Sequence, residues 1–110
     1  MIQSACWVVT KAPGVELAAL GLRTAWATHQ NGFETRLLFL EEGVWCLLGG
    51  PGYITTMIKD YAGEGGELFC LRTDLERRGI KADALVPGVR IIDEEEAAEL
   101  RENSETINFF

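Results

Sequence analysis

The sequence predicts an α/β fold built on an open, mainly parallel β-sheet of about five strands. Short apolar runs, too hydrophobic for strands with one face in water, alternate with segments whose apolar residues recur at helical spacing. This alternation is typical of βαβ units, in which successive strands run parallel. A length of 110 residues matches one hydrophobic core, so we expect a single domain over residues 1–110.

The first strand and the first helix are the clearest elements. The apolar run within Ile2 to Thr10 predicts a strand that is covered on both faces. A helix follows the Pro13-Gly14 break and stops at Asn31-Gly32. Its apolar face includes Leu17 and Leu20 and is wider than one sheet needs, so we expect this helix also to contact another subunit.

The remaining elements follow in chain order. They are a second strand from Glu34 to Leu40, an ambiguous apolar segment from Val44 to Leu48, a short helix marked by Ile54, Met57, Ile58 and Tyr61, a third strand from Leu68 to Leu71, a helix from Thr73 to Arg78, a fourth strand from Val89 to Ile92, an acidic helix from Asp93 to about Glu102, and a last strand from Thr106 to Phe109. Thr73 and Glu76 match a capping box, and Asp93 can cap the acidic helix.

Charge and composition exclude several function classes. A net charge of −7 would repel a phosphate backbone, so we expect no nucleic-acid partner. No apolar stretch approaches the roughly 20 residues that span a bilayer, and no signal-peptide pattern opens the chain. We therefore expect a cytoplasmic protein with no membrane partner. With one histidine and three scattered cysteines, a zinc site, a disulfide framework and a Ser-His-Asp triad are all disfavoured.

Cys70 is the best candidate for a reactive group. In an open α/β sheet the ligand crevice lies beyond the carboxyl ends of the strands, and Cys70 stands near the end of the third strand. Arg72 and the positive end of the helix that starts at Thr73 would favour a thiolate. The alternative is that Cys70 is a small core residue, because free cysteine is among the most buried residue types.

The other candidates have simpler interpretations. Cys46 could act as a second, resolving thiol, but core packing is the better explanation, and Cys6, in the middle of the first strand, is expected to be structural. The Gly49 to Gly52 stretch lacks the residues of a phosphate-binding loop and predicts a turn. His29, in the last turn of the first helix, complements the helix dipole.

Several motifs together resemble the DsrE/DsrF-like proteins, which include the TusB, TusC and TusD sulfur-relay subunits. Besides the order of elements, these motifs are Glu42-Gly43-Val44, the segment from Leu68 to Ile80, Pro87-Gly88-Val89 and Ile107-Asn108-Phe109. The resemblance implies a three-layer α/β/α domain, assembly into trimers or hexamers, and a sulfur-carrying cysteine that maps onto Cys70. Some family members lack this cysteine and serve as scaffolds. The chain has no long cysteine-bearing tail, which leaves the subfamily open.

Two functions are consistent with these observations. In the first, Cys70 carries a persulfide between a sulfur donor protein and a sulfur acceptor protein, supported by Arg72 and Thr73, as a sulfurtransferase-like carrier. That chemistry needs neither a metal nor an organic cofactor. In the second, Cys70 only packs, and the protein is a non-catalytic oligomeric subunit or a small-ligand-binding module. A flavodoxin-like redox role would require a phosphate-cradling loop, which Lys11 to Gly14 does not resemble.

Overall fold

The computed structural model describes residues 4–110, and it has a five-stranded, all-parallel sheet between layers of helices. This confirms the predicted three-layer α/β/α class. The strands are β1 Ser4–Val9, β2 Glu34–Phe39, β3 Glu67–Leu71, β4 Val89–Ile92 and β5 Thr106–Phe109. The helices are α1 Glu16–Gln30, α2 Tyr53–Gly63, α3 Arg72–Arg77 and α4 Glu94–Glu102, with 3-10 helices at Glu41–Leu47 and Ala82–Ala84. Ile2 and Gln3 of the predicted first strand lie outside the described residues.

The sheet has the strand order β4-β3-β2-β1-β5. Successive connections step from β1 to β4 in one direction, and the last connection returns across the sheet to place β5 beside β1. In the β2–β3 register Phe39 lies opposite Cys70, and on the other side Cys70 lies opposite Ile91. The third strand, which carries Cys70, therefore lies inside the sheet, paired on both sides.

The two faces of the sheet bury separate hydrophobic clusters, because side chains alternate along each strand. The larger cluster, under α1, α2 and α3, includes Val9, Phe39 and Cys70. The smaller one, under α4, includes Cys6, Val8 and Phe69. All six residues of β1 are buried, as its continuous apolar sequence predicted.

Helix α1 buries one face and exposes a second apolar stripe. Ala18, Leu22 and Ala25 face the core, whereas Leu17 and Leu20 each keep 45% of their surface exposed. The wide apolar face expected from the sequence is therefore present. Its contact with another subunit stays a prediction.

Of the two helix caps predicted from the sequence, the one for α3 is wrong and the one for α4 is confirmed. Helix α3 begins at Arg72, with Leu71 in extended conformation as its N-cap and no side-chain cap. Thr73 lies inside the first turn, so the Thr73–Glu76 capping box is wrong. The cap of α4 is confirmed, since the Asp93 carboxylate accepts a hydrogen bond from the Glu96 N–H at 2.8 Å.

The ambiguous segment from Val44 to Leu48 belongs mostly to the Glu41–Leu47 3-10 helix. Gly43 lets this helix lie against the end of β1, because a Cβ atom at that position would collide with the Val9 carbonyl oxygen. The Glu42-Gly43-Val44 motif thus has a packing role. Within residues 4–110 no helix is both long enough and apolar enough to span a membrane.

Candidate functional site

Cys70 is held in the hydrophobic interior of the protein. It is the fourth residue of β3 and has no exposed surface. Its neighbours across the sheet, Phe39 and Ile91, belong to or pack against the same apolar cluster. The side chain therefore has the surroundings of a core residue, although it stands at the strand-to-helix junction expected from the sequence.

The protonation of Cys70 is controlled by this burial. Desolvation raises the pKa of the thiol to about 11, while Arg72 lowers it by a smaller amount and Asp74 opposes Arg72. The prediction that this site favours the thiolate is therefore wrong for the described conformation. The helix and the arginine are present, but Arg72 is exposed to solvent and its charge does not compensate the lost hydration.

Cys46 lies next to an opening in the surface at the carboxyl ends of β1 and β2. Its thiol is 2% exposed and donates to the Lys11 carbonyl oxygen at 3.7 Å. Burial raises the pKa of Cys46 to about 11 as well. A pocket of about 260 Å³ is walled by Pro13, Trp45, Cys46 and the loop that leads into α2 at Tyr53. Cys46, the less favoured thiol in the sequence analysis, thus lines a pocket in the predicted crevice.

The two cysteines share one hydrophobic cluster, whereas Cys6 lies in the cluster on the opposite face of the sheet. Cys6 has no exposed surface, and burial raises its pKa to about 11. Its interpretation as a structural residue agrees with this position. All three cysteines are free thiols.

An ion-pair network around the buried Asp74, which the sequence did not predict, joins the segments that follow β2 and β3. Asp74 is 3% exposed, and its Oδ2 accepts a hydrogen bond from the Glu41 N–H at 2.8 Å. Its Oδ1 lies 3.4 Å from Nη1 of Arg78, whose Nη2 contacts Glu42 at 3.1 Å. Glu41 has a positive φ of 52°, so this hydrogen bond holds an uncommon backbone conformation. The Asp74-to-Arg78 spacing of four residues is the sequence signal that could have revealed half of this network.

His29 also takes part in structure. Its Nε2 lies 3.0 Å from the Glu64 carbonyl oxygen, and its Nδ1 lies 3.3 Å from Oγ1 of Thr35. The same Thr35 hydroxyl is 2.8 Å from the Tyr61 hydroxyl, and burial raises the pKa of Tyr61 to about 12. His29 therefore connects the ends of α1 and α2 to the start of β2. Its place in the last turn of α1 was predicted from the sequence, but these contacts were not.

The described residues do not form a metal-binding site. Across residues 4–110, no group of three or more histidine, cysteine, aspartate or glutamate side chains could hold a metal ion. The Gly49 to Gly52 stretch forms a turn with positive φ at Gly49, Gly50 and Gly52, and it leads into α2.

Solved structures share this architecture. The crystal structure of the ychN protein from E. coli matches with a TM-score of 0.88 and 25% identity over 100% of both chains. A protein of unknown function, MTH1491 from Methanobacterium thermoautotrophicum, matches with a TM-score of 0.80 and 14% identity, over 96% of this chain and 98% of that one. No curated protein matches the sequence significantly.

A family model described as "DsrH like protein" matches residues 22–107. This range contains β2, β3, the ion-pair network and both cysteines of the larger cluster. Assignment to the TusB, TusC or TusD type stays a prediction. Because the model spans most of the sequence, the chain belongs to the DsrH-like family.

Proposed function

We propose that this protein is a subunit of an intracellular sulfur relay and that, in the described conformation, it serves as a non-catalytic docking subunit. One observation carries the choice of role. Cys70 is fully buried, and burial raises its pKa to about 11, so at pH 7 the protonated thiol strongly predominates. A sulfur nucleophile must be both ionised and accessible. The family supports the relay, and the burial of Cys70 supports the docking role.

The cytoplasm is the proposed location because the three free thiols are compatible with a reducing compartment. Sulfur donor and acceptor proteins are the proposed partners, and a homo-oligomeric state is proposed with them. Docking would bring the cysteines of two partners within reach of one another, and no thiol of this chain would need to react.

A second candidate is the persulfide carrier. It is favoured by the place of Cys70 two residues before the start of α3, where the Arg72 charge lowers the pKa of the thiol against the effect of desolvation. If α3 moved and Cys70 became exposed, its thiolate could attack the outer sulfur of a donor persulfide. That step would form Cys70–S–SH and release the donor thiolate. Attack of an acceptor thiolate on the terminal sulfur would then return the Cys70 thiolate, with no net oxidation.

The deciding experiment is sulfur loading followed by intact-mass spectrometry. The protein is incubated with a cysteine desulfurase and cysteine, in parallel with the Cys70→Ser and Cys46→Ser variants. Cys46→Ser is the matched control, because the two thiols have the same pKa and nearly the same burial. The docking role predicts no added sulfur in any of the three proteins.

The docking role also predicts a positive result. Added to a cysteine desulfurase and a cysteine-bearing DsrE-type carrier, the chain should raise the rate at which the carrier gains sulfur, and Cys70→Ser should do so equally well. If the wild type gains one sulfur that Cys70→Ser loses and Cys46→Ser keeps, the carrier function replaces the docking role. If the chain neither gains sulfur nor accelerates loading, the relay proposal is abandoned.

A further inference from the structure

Exposed hydrophobic side chains concentrate along one edge of the sheet. In the described part of the chain, the large hydrophobic residues with the most exposed surface are Val15, Leu17, Leu20, Tyr53, Ile107 and Phe109. All except Tyr53 belong to β5 or to the N-cap and first turns of α1. These two elements meet, because a Cβ atom on Gly21 of α1 would lie 2.8 Å from the Phe110 ring. The edge strand and α1 thus meet at one edge of the sheet, called here the β5 edge, with α1 on the face of the larger cluster and the exposed β5 side chains on the α4 face.

Among the strands that the structure describes, none pairs with the outer backbone of β5. The Phe110 N–H donates to the Val8 carbonyl, and the Phe110 carbonyl accepts from the Thr10 N–H, so Phe110 directs both groups toward β1. Backbone groups alternate in direction along a strand. Ile107 and Phe109 therefore direct theirs away from the sheet, because β5 is its last strand.

The side chains of Ile107 and Phe109 lie on the α4 face of the sheet. Their register partners on β1 are Cys6 and Val8, which belong to the cluster under α4. Ile107 is 41% exposed and Phe109 is 62% exposed. Residues 106–110 contain no charged side chain, although charges are a common protection of edge strands against pairing.

We propose that β5 pairs antiparallel with β5 of a second copy of this chain across a two-fold axis at Asn108. In that register Ile107 of one copy lies opposite Phe109 of the other, and the reverse pair follows by symmetry. Both residues have outward backbone groups, so each pair exchanges two N–H···O bonds, and both place their side chains on the same face. The strand is thereby complementary to itself in hydrogen bonding and in side-chain contact.

A second copy is the occupant that this geometry favours. The pairing joins two five-stranded sheets and leaves both α1 helices, with exposed Leu17 and Leu20, on the same face of the joined sheet. A two-fold contact gives even oligomers, which include a hexamer formed from two trimers. This association gives an interface to the homo-oligomeric state proposed above, and because it needs no thiol it can fail or succeed independently of sulfur transfer.

The first test is the molar mass of the full chain by sedimentation equilibrium over a range of concentrations. We expect a dimer or a larger even oligomer. Ile107→Lys and Phe109→Glu should each raise the dissociation constant of the two-fold contact at least about tenfold. Tyr53→Glu is the matched control, since this exposed aromatic residue lies off the β5 edge and should leave the mass unchanged.

The register has its own test. An equimolar mixture of I107K and F109E should regain the dimer, because the introduced lysine then faces the introduced glutamate while the other pair stays native. Asn108→Cys should form a disulfide-linked dimer on oxidation, because Cα atoms opposite each other in a non-hydrogen-bonded pair are about 4.5 Å apart. This cross-link does not depend on the folding of the charged variants.

Four results would overturn the proposal. They are a wild-type chain that stays monomeric, one that forms only trimers, an oligomer that neither charged variant weakens, and a mixture of variants that stays dissociated.

Discussion

Cys46 and Cys70 are nearly identical in protonation but differ in surroundings. Both thiols have a pKa of about 11, and both are at most 2% exposed. Cys70 lies within a strand that is paired on both sides, whereas Cys46 lies in a 3-10 helix beside a pocket. Since burial raises both pKa values to about 11, we expect any difference in reactivity to come mainly from how easily each sulfur becomes accessible.

Gly43→Ala should have the largest effect on stability and on the relative alkylation rates of Cys46 and Cys70. The added methyl group collides with the Val9 carbonyl oxygen, so the Glu41–Leu47 3-10 helix must shift, at a cost of about 3 kcal/mol in unfolding free energy. Chemical denaturation measures the loss. Alkylation of Cys46 should accelerate more than that of Cys70, because only Cys46 lies in the displaced helix.

Gly63→Ala is the control for this substitution. Gly63 ends α2 and has open space around its Cα, so alanine there should change stability by less than about 1 kcal/mol. Equal stability of Gly43→Ala and wild type would show that the close approach between Gly43 and β1 is absent.

Asp74→Ala should affect both cysteines together. It removes the acceptor of the Glu41 N–H and the buried carboxylate beside Arg78, which keeps only the backbone carbonyl of residue 74 and Glu42, and this should cost about 2 kcal/mol in unfolding free energy. The segments after β2 and β3 both loosen, so alkylation of Cys46 and Cys70 should accelerate by similar factors. Asp74→Asn, which keeps one acceptor oxygen, should lose less. An accelerated reaction at one cysteine only would mean that the network does not couple the segments.

At alkaline pH, Cys46 and Cys70 should contribute equally to the loss of unfolding free energy. Their pKa rises from 9.0 to about 11 on folding, so the folded state holds more protons than the unfolded state between these values. The contribution of these thiols to the free energy of unfolding should therefore be fully present below about pH 9 and be lost as pH rises toward 11. Cys46→Ala and Cys70→Ala should each make this fall shallower to the same degree, as measured by denaturation at a series of pH values. A change in only one variant would separate the two pKa values.

The smallest expected effect is a difference between the alkylation rates of Cys46 and Cys70 in the wild-type protein. Alkylation with iodoacetamide at pH 8, followed by peptide mass analysis, should modify Cys46 a few-fold faster than Cys70. The physical reason is that a small local movement of the 3-10 helix opens Cys46 to the pocket, whereas exposing Cys70 requires displacement of α3. Faster modification of Cys70 would reverse the ranking and favour the carrier function.

The sequence was sufficient for the features that depend on neighbouring residues. Alternating apolar runs predicted the parallel sheet, Asn31-Gly32 predicted the end of α1, and Asp93 predicted the cap of α4. It also placed Cys70 at the end of β3. Local patterns suffice here because hydrophobic period and capping chemistry act over a few residues.

The pKa of Cys70 and the hydrogen bonds around Asp74 could not be predicted from the sequence. Arg72 and α3 predicted a low pKa for Cys70, but the desolvation that reverses it comes from residues far away in the chain, such as Phe39. The hydrogen bond from the Glu41 N–H to Asp74 likewise joins residues that are 33 apart. Register and packing decide such contacts, and a single sequence does not specify them.

The pairing of β1 with β5 also has a consequence for how the chain folds during synthesis. It joins residues about 100 apart, so Trp7 cannot meet Phe110 until nearly all of the described chain has left the ribosome. Until then, β1 is itself the edge of the growing sheet, and its outer side, later covered by β5, is open to other nascent chains. Of the five described strands, the last to be synthesised is therefore the one that covers the first.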